Sequence, residues 1–284
     1  MIQTELFVFG LIIGSFLNVL AVRYDPDHFL FAHGVIGGRS HCPHCKKQLR
    51  WFELIPLFSY LVQGGRCRSC RTSLSLQYPV VEIACGLVLA FVPAHFANPL
   101  LPSAIGHWLS VLWVLVFFAL FLMSLIDIRH YIIPDELNIG LAVLGVAIAF
   151  ITPADLATGG GSFMGPYSML FGTLQSQLAN RAVAVGAACL LFGGLIIVTR
   201  GRGMGMGDWK LAMGLAIIFG WPDCILVFAL AFIIGALSSV VFVLDRKKTL
   251  KSFLPFGPFL ASAAVIVFFF GKDIVHWYFS LFTL

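Results

Sequence analysis

The chain has 284 residues, 60% of them hydrophobic and only 11% charged, with a mean hydropathy of +0.96. A water-soluble domain is closer to half apolar and a quarter charged, so composition excludes a soluble globular enzyme. Repeated apolar runs of about 20 residues predict an all-α polytopic membrane protein, because open strands cannot span lipid.

In chain order, eight transmembrane helices are expected at 6–22, 79–96, 105–126, 137–151, 182–199, 209–220, 225–244 and 253–270. The fourth and sixth are short. The N-terminus, Met1-Ile2-Gln3-Thr4-Glu5, has no basic region, and no small-x-small cleavage site follows its apolar run. That run is expected to be a retained span rather than a secretory signal.

Two connections are too long for turns. Residues 24–78 read as a small polar domain with four cysteines. Residues 152–181 read as a flexible loop containing Gly159-Gly160-Gly161-Ser162, with a short interfacial helix expected over 168–178. The resulting division is a first helix at 1–23, the cysteine domain at 24–78, a seven-helix membrane domain at 79–272 carrying the 152–181 insert, and an interfacial tail at 273–284. His276-Trp277-Tyr278-Phe279 reads as an interface anchor. No internal repeat is evident.

The net charge of +5 is distributed as membrane topology rather than as a nucleic-acid surface. One face collects Arg23, Arg39, Lys46, Lys47, Arg50, Arg66, Arg68, Arg71, Arg129, Arg200, Arg202, Lys210, Arg246, Lys247, Lys248 and Lys251; the other has Arg181 and Lys272. The positive-inside rule makes the first face cytoplasmic and leaves both termini outside.

Cys42-Pro43-His44-Cys45 and Cys67-Arg68-Ser69-Cys70 form two C-x2-C pairs with 21 residues between them. Four soft thiolates at this spacing suit a closed tetrahedral zinc site. Two disulfides are the other reading, disfavoured in a reducing cytoplasm. His41 and His44 are alternative ligands or plain surface histidines. Cys85, Cys189 and Cys224 fall in or beside apolar runs and read as packing residues.

Two carboxylates stand out. Asp127 ends the third span in Ser124-Leu125-Ile126-Asp127-Ile128-Arg129, and Asp208 opens the sixth in Gly205-Met206-Gly207-Asp208-Trp209-Lys210-Leu211. The topology puts both at the cytoplasmic side. Two carboxylates in a low-dielectric cleft cannot both ionise cheaply, so they would share a proton and titrate as a unit. The charged one can take a proton from water while the other polarises a carbonyl, which is aspartic-protease chemistry. Gly205 and Gly207 allow close backbone approach. The plainer readings are an N-cap for Asp208, and for Asp127 an interfacial charge paired with Arg129 or Lys210. Lys210 either pairs with an acid or snorkels. Asp135, after Pro134, is expected to cap the fourth helix.

With these residues in view, the chain resembles the type IV prepilin peptidases, the Gly-x-Gly-Asp membrane aspartic proteases that also act as N-methyltransferases. The resemblance runs through Gly14-Ser15-Phe16-Leu17-Asn18-Val19, both cysteine pairs, Ile55-Pro56-Leu57-Phe58-Ser59-Tyr60-Leu61, Gly65-Arg66-Cys67-Arg68-Ser69-Cys70, Tyr78-Pro79-Val80-Val81-Glu82 and both aspartate motifs. It implies a bacterial inner-membrane protein acting on prepilins and pseudopilins of type IV pili or type II secretion systems. Asp127 and Asp208 would cut a short basic leader on the cytoplasmic side. S-adenosylmethionine would then methylate the new N-terminus. Cys42, Cys45, Cys67 and Cys70 would hold zinc. Membrane lipid is the other expected partner.

Two departures are visible. Leu54 stands where members often carry Asn, and the insert lengthens the run from Asp127 to Asp208 to 81 positions. Methyl transfer has no glycine-rich nucleotide loop to mark it. Glu53, Gly65, Arg66 and Glu82 are its candidate residues, Glu82 foremost because a carboxylate inside a span needs a partner or a task. Asn18 is read as helix-to-helix glue. A proton-coupled transporter using the same acids is the alternative function, and a zinc-stabilised assembly scaffold is a third.

Overall fold

This computed structural model describes residues 2–30, 32–97, 102–152, 162–172, 174, 176–244 and 254–282. Among them the architecture is helical. Helices occupy all eight expected places: α1 (Ile2–Arg23), α2 (Gln77–His95), α3 (Ser103–His130), α4 (Asp135–Ile151), α5 (Gln177–Thr199), α6 (Met206–Phe219), α7 (Asp223–Leu244) and α8 (Gly257–Ser280). A π turn at Cys189–Gly193 interrupts α5. Six of these helices, all but α4 and α6, are long and apolar enough to cross a membrane, and the chain is a multi-pass membrane protein. At 17 and 14 residues, α4 and α6 reach about 26 and 21 Å against a hydrocarbon core of about 30 Å. The glycine run 159–161, the basic cluster 246–251 and the start of the expected eighth span lie outside the described residues.

The chain divides into two compact units, Met1–Ile126 and Asp127–Leu284. In the first, α1 and α2 pack through small residues. A Cβ on Gly10 would fall 2.5 Å from the carbonyl oxygen of Cys85, and one on Gly14 2.7 Å from Cα of Glu82. Without side chains there, the backbones close up and dispersion contacts accumulate. Asn18 is fully buried in that seam. Its amide donates to the carbonyls of Gly14 (3.2 Å) and Tyr78 (3.3 Å) and accepts from Gln77 (3.3 Å), which is the gluing role expected of it.

In the second unit α4 and α6 run parallel. A Cβ on Gly145 would meet Ile217 and Ile218 at 2.8–3.0 Å, and Gly214 faces Leu141. The part of the insert described here is anchored rather than loose. The Asp223 carboxylate, at the start of α7, accepts from Ser162 Oγ (2.6 Å) and from the backbone N–H groups of Phe163 and Met164 (both 3.1 Å). Among the described residues no single helix runs through 168–178. A 3-10 helix spans Gly165–Phe171, and Ser176 caps α5 by accepting from the N–H of Ala179. The reason is local: Gly172 at φ +77° stops the 3-10 turn, and the Ser176 cap starts a new helix five residues earlier than hydrophobicity alone indicates. Tyr167 stacks on Phe279 at 4.7 Å, so the aromatic anchor near the C-terminus lies within α8, which continues past residue 270.

Candidate functional site

The first candidate site belongs to the second unit. Asp127, in the last turn of α3, is 4% exposed. Its Oδ2 accepts from the backbone N–H of Gly257 at 3.0 Å. Gly257 is the first residue of α8, and a Cβ there would come 2.7 Å from that oxygen, so only glycine leaves room for the carboxylate. Asp208 is the third residue of α6, and its Oδ2 accepts from the N–H of Gly205, the N-cap, at 3.3 Å. The carboxylate thus satisfies a helix-start amide from inside the first turn, not from the cap position.

Ile133 ties the two acids together. A Cβ on Gly207 would sit 3.1 Å from Ile133 Cβ, and one on Gly257 3.5 Å from Ile133 Cδ1. One side chain therefore wedges between the glycine preceding Asp208 and the glycine bonded to Asp127. Among the described residues no cation lies within ion-pair distance of either acid. Arg129 is not Asp127's partner, and neither is Lys210. Lys210 Nζ instead bonds Asp135 at 2.8 and 2.9 Å, joining α6 to α4. Asp135 therefore does not cap α4; Pro134 holds the cap position. Gly257 carried no signal in the sequence beyond a Gly-Pro pair at a helix start.

The second candidate site is the cysteine cluster. The Sγ atoms of Cys42, Cys45, Cys67 and Cys70 all lie within 4.8 Å of one another. Cys42 and Cys70 sulfurs are 3.8 Å apart, matching the roughly 3.8 Å edge of a tetrahedron with metal–sulfur bonds of about 2.3 Å. All four are free thiols, so the disulfide reading fails. His41 and His44 lie outside the cluster.

The two C-x2-C pairs are also one repeated backbone structure. Lys46 N donates to Cys42 O and Arg71 N to Cys67 O; Cys42 N donates to Lys47 O and Cys67 N to Thr72 O; Leu49 N donates to Ser40 O and Leu74 N to Gly65 O. Lys46 and Arg71 have φ of +58° and +59°. The same knuckle occurs twice, 25 positions apart. Thr72 Oγ1 and Cys70 Sγ are hydrogen-bonded at 3.3 Å, and this contact, with the Thr72 backbone N–H, holds the exposed Cys70 thiol down to about 6. The donor set fits a soft divalent metal.

The third candidate site is a cleft between the knuckles and the ends of α1 and α2, about 950 Å³ with its open mouth included. Asn18, Glu53, Tyr60, Gln63, Tyr78 and Glu82 are among the residues lining it. Glu53 and Glu82 thus meet in one place. Gly65 and Arg66 do not join them. Gly65, at φ +67°, packs under the Tyr60 hydroxyl, where a Cβ would fall at 2.9 Å, and Arg66 lines a separate groove. The buried Glu82 carboxylate accepts from Leu57 N–H at 2.7 Å. Leu57 has φ +61°, a conformation costing about 1–3 kcal/mol for a residue with a side chain. Glu82 thereby pins a strained turn to α2. Tyr60, Gln63 and Tyr78 were not expected here.

Comparison with known proteins identifies the family. The bacterial peptidase A24 N-terminal domain matches residues 8–96, and the type IV leader peptidase family matches residues 113–240. The prepilin leader peptidase/N-methyltransferase of Stutzerimonas stutzeri is 32% identical, covering 95% of this chain and 91% of its own length. Those of Pseudomonas aeruginosa and Aeromonas hydrophila are 31% and 29% identical, covering 95% and 97% of this chain and 90% and 93% of theirs. No solved structure matches the chain. The chain belongs to the type IV leader peptidase family. It is a membrane peptidase, and nothing favours a transporter.

Proposed function

We propose that this protein removes the leader of type IV prepilins and pseudopilins at the cytoplasmic membrane face and methylates the amine so exposed. The observation that carries the first activity is the packing of Ile133 between Gly207, which precedes Asp208, and Gly257, whose N–H binds Asp127, with no cation within ion-pair distance of either acid among the described residues. One carboxylate takes a proton from water, whose oxygen attacks the scissile carbonyl carbon. The other gives its proton to the carbonyl oxygen. Collapse breaks the C–N bond, and the departing amine regains a proton from the pair. The Gly257 N–H orients the Asp127 carboxylate, and Gly205, where a Cβ would stand 3.4 Å from Asp208 Oδ2, leaves room for an extended peptide beside that acid. Lys210 positions α6 through Asp135.

Methyl transfer is assigned to the cleft beside the knuckles. Tyr60 and Tyr78 offer ring faces, and Glu53 and Gln63 offer hydrogen-bonding groups, to S-adenosylmethionine. The donor supplies an electrophilic methyl carried on a positive sulfur; the neutral amine of the substrate takes that methyl and releases a proton. Glu82 is a positioning residue, holding the strained turn at Leu57 that forms the cleft's rim. Zinc on Cys42, Cys45, Cys67 and Cys70 would fix both knuckles and with them the cleft wall. Arg66 and Gly65 lie away from this chemistry. The expected orientation, with both termini outside and the knuckles in the cytoplasm, belongs to the same reading.

Mass spectrometry of a prepilin co-expressed with the protein tests it. The wild type should yield a chain lacking its leader and one methyl group heavier at the new N-terminus. A prepilin recovered with its leader intact would refute the peptidase reading. A trimmed but unmethylated chain would refute only the second activity.

A further inference from the structure

The cysteine domain carries a surface that neither reaction uses. The helix Phe58–Val62 exposes its apolar side: Phe58 is 61% exposed, Leu61 68% and Val62 69%, with Trp51 at 77% beside them. A soluble surface rarely clusters such residues without a partner. The exposed Arg66, Arg68 and Arg71 join Phe52, Phe58 and Val62 in lining one groove. Arg68 lies over the Phe52 ring at 5.4 Å, and among the described residues no carboxylate comes within ion-pair distance of the three guanidiniums. Between residues 28 and 81 the sequence holds seven Lys and Arg against a single acid, Glu53, whose carboxylate is turned onto the Arg50 N–H.

Depth decides what covers this surface. Leu57, immediately before the helix, is bonded to Glu82, five residues into the membrane helix α2 and thus about 8 Å along it. The apolar side chains of 58–62 therefore lie level with the end of a transmembrane segment. Leu76, at the start of α2, is likewise 69% exposed. An apolar strip at that level with cations around it is the pattern of an interfacial element, and guanidiniums suit phosphate oxygens.

We propose that this face, Trp51, Phe58, Leu61 and Val62 with Arg66, Arg68 and Arg71, is a binding site for anionic lipid headgroups of the leaflet into which α1 and α2 enter. The apolar residues dip below the phosphates, and the arginines engage them from the aqueous side. The consequence is that the knuckles are held at a fixed tilt against the membrane, independently of either reaction.

Hydrogen exchange of the full-length protein in nanodiscs tests this. In discs containing phosphatidylglycerol, backbone amides of 58–71 should exchange more slowly than in pure phosphatidylcholine. Each guanidinium should contribute roughly a fivefold preference for the anionic surface. Arg68→Gln with Arg71→Gln should therefore weaken that preference about 25-fold, and high salt should erode it in the wild type. Equal exchange of the wild type in both disc types would overturn the proposal without recourse to any variant. So would the same slowing produced in phosphatidylcholine discs by inorganic phosphate alone, which would make the groove a site for soluble anions.

Discussion

At the residue scale, the demand on Gly257 is the sharpest. Its N–H holds Asp127 Oδ2 at 3.0 Å, and a methyl group there would sit 2.7 Å from the same oxygen. Gly257→Ala must push the carboxylate aside, and a misplacement near 1 Å in a catalytic group costs on the order of 100-fold. Cleavage by Gly257→Ala is expected to fall by about that factor in a timed prepilin assay, with the protein still inserted. An unchanged rate would mean that Asp127 is free to work from elsewhere. Lys210 gives the contrast. Its pair with Asp135 is exposed at 43% and 63%, so it stabilises by at most about 1 kcal/mol. Lys210→Gln should slow cleavage by less than about tenfold, and a larger loss would give Lys210 a direct part in the chemistry.

At the element scale, Glu82 and Asp223 each fasten a loop to a helix. Glu82→Ala leaves the Leu57 N–H without its acceptor and frees a strained turn; methylation should fall at least about tenfold while cleavage continues. Glu82→Gln keeps an acceptor oxygen and should retain most of the methylation. Loss in both variants would show that the charge itself takes part. Asp223 gathers Ser162, Phe163 and Met164, so Asp223→Ala should destabilise by roughly 1–3 kcal/mol, read as a lower unfolding temperature, with the aspartate chemistry intact. The eight helices were legible in the sequence because apolar runs demand burial or lipid, and Asp127, Asp208 and the four cysteines because charge and thiols are rare in such surroundings. Gly257 was not legible: its contact with Asp127 joins positions 130 apart, and a glycine announces no chemistry. The two cysteine pairs were legible, but the matching of their backbone hydrogen bonds, from Ser40–Leu49 to Gly65–Leu74, was not, because main-chain bonding leaves no mark on residue type. Helix ends were misjudged because capping by Ser176 and Gly205 starts helices among polar residues, before hydropathy rises.

At the scale of the whole molecule, the two units hold different candidate sites. Met1–Ile126 contains the knuckles and the cleft, whereas Asp127–Leu284 contains both acids. If the cluster holds zinc as proposed, a chelator, like replacing Cys42 and Cys67 by serine, should release the order of residues 40–74 and abolish methylation first. The central claim, however, is that two acids 81 positions apart act as one catalytic unit. Groups that act as a unit are not additive: losing either costs about as much as losing both. The deciding measurement is the single-turnover cleavage rate of a prepilin by Asp127→Asn, by Asp208→Asn and by the double variant, each purified and shown to be folded. All three should be equally inactive, several orders of magnitude below the wild type. A single variant that cleaves at the wild-type rate would contradict the account.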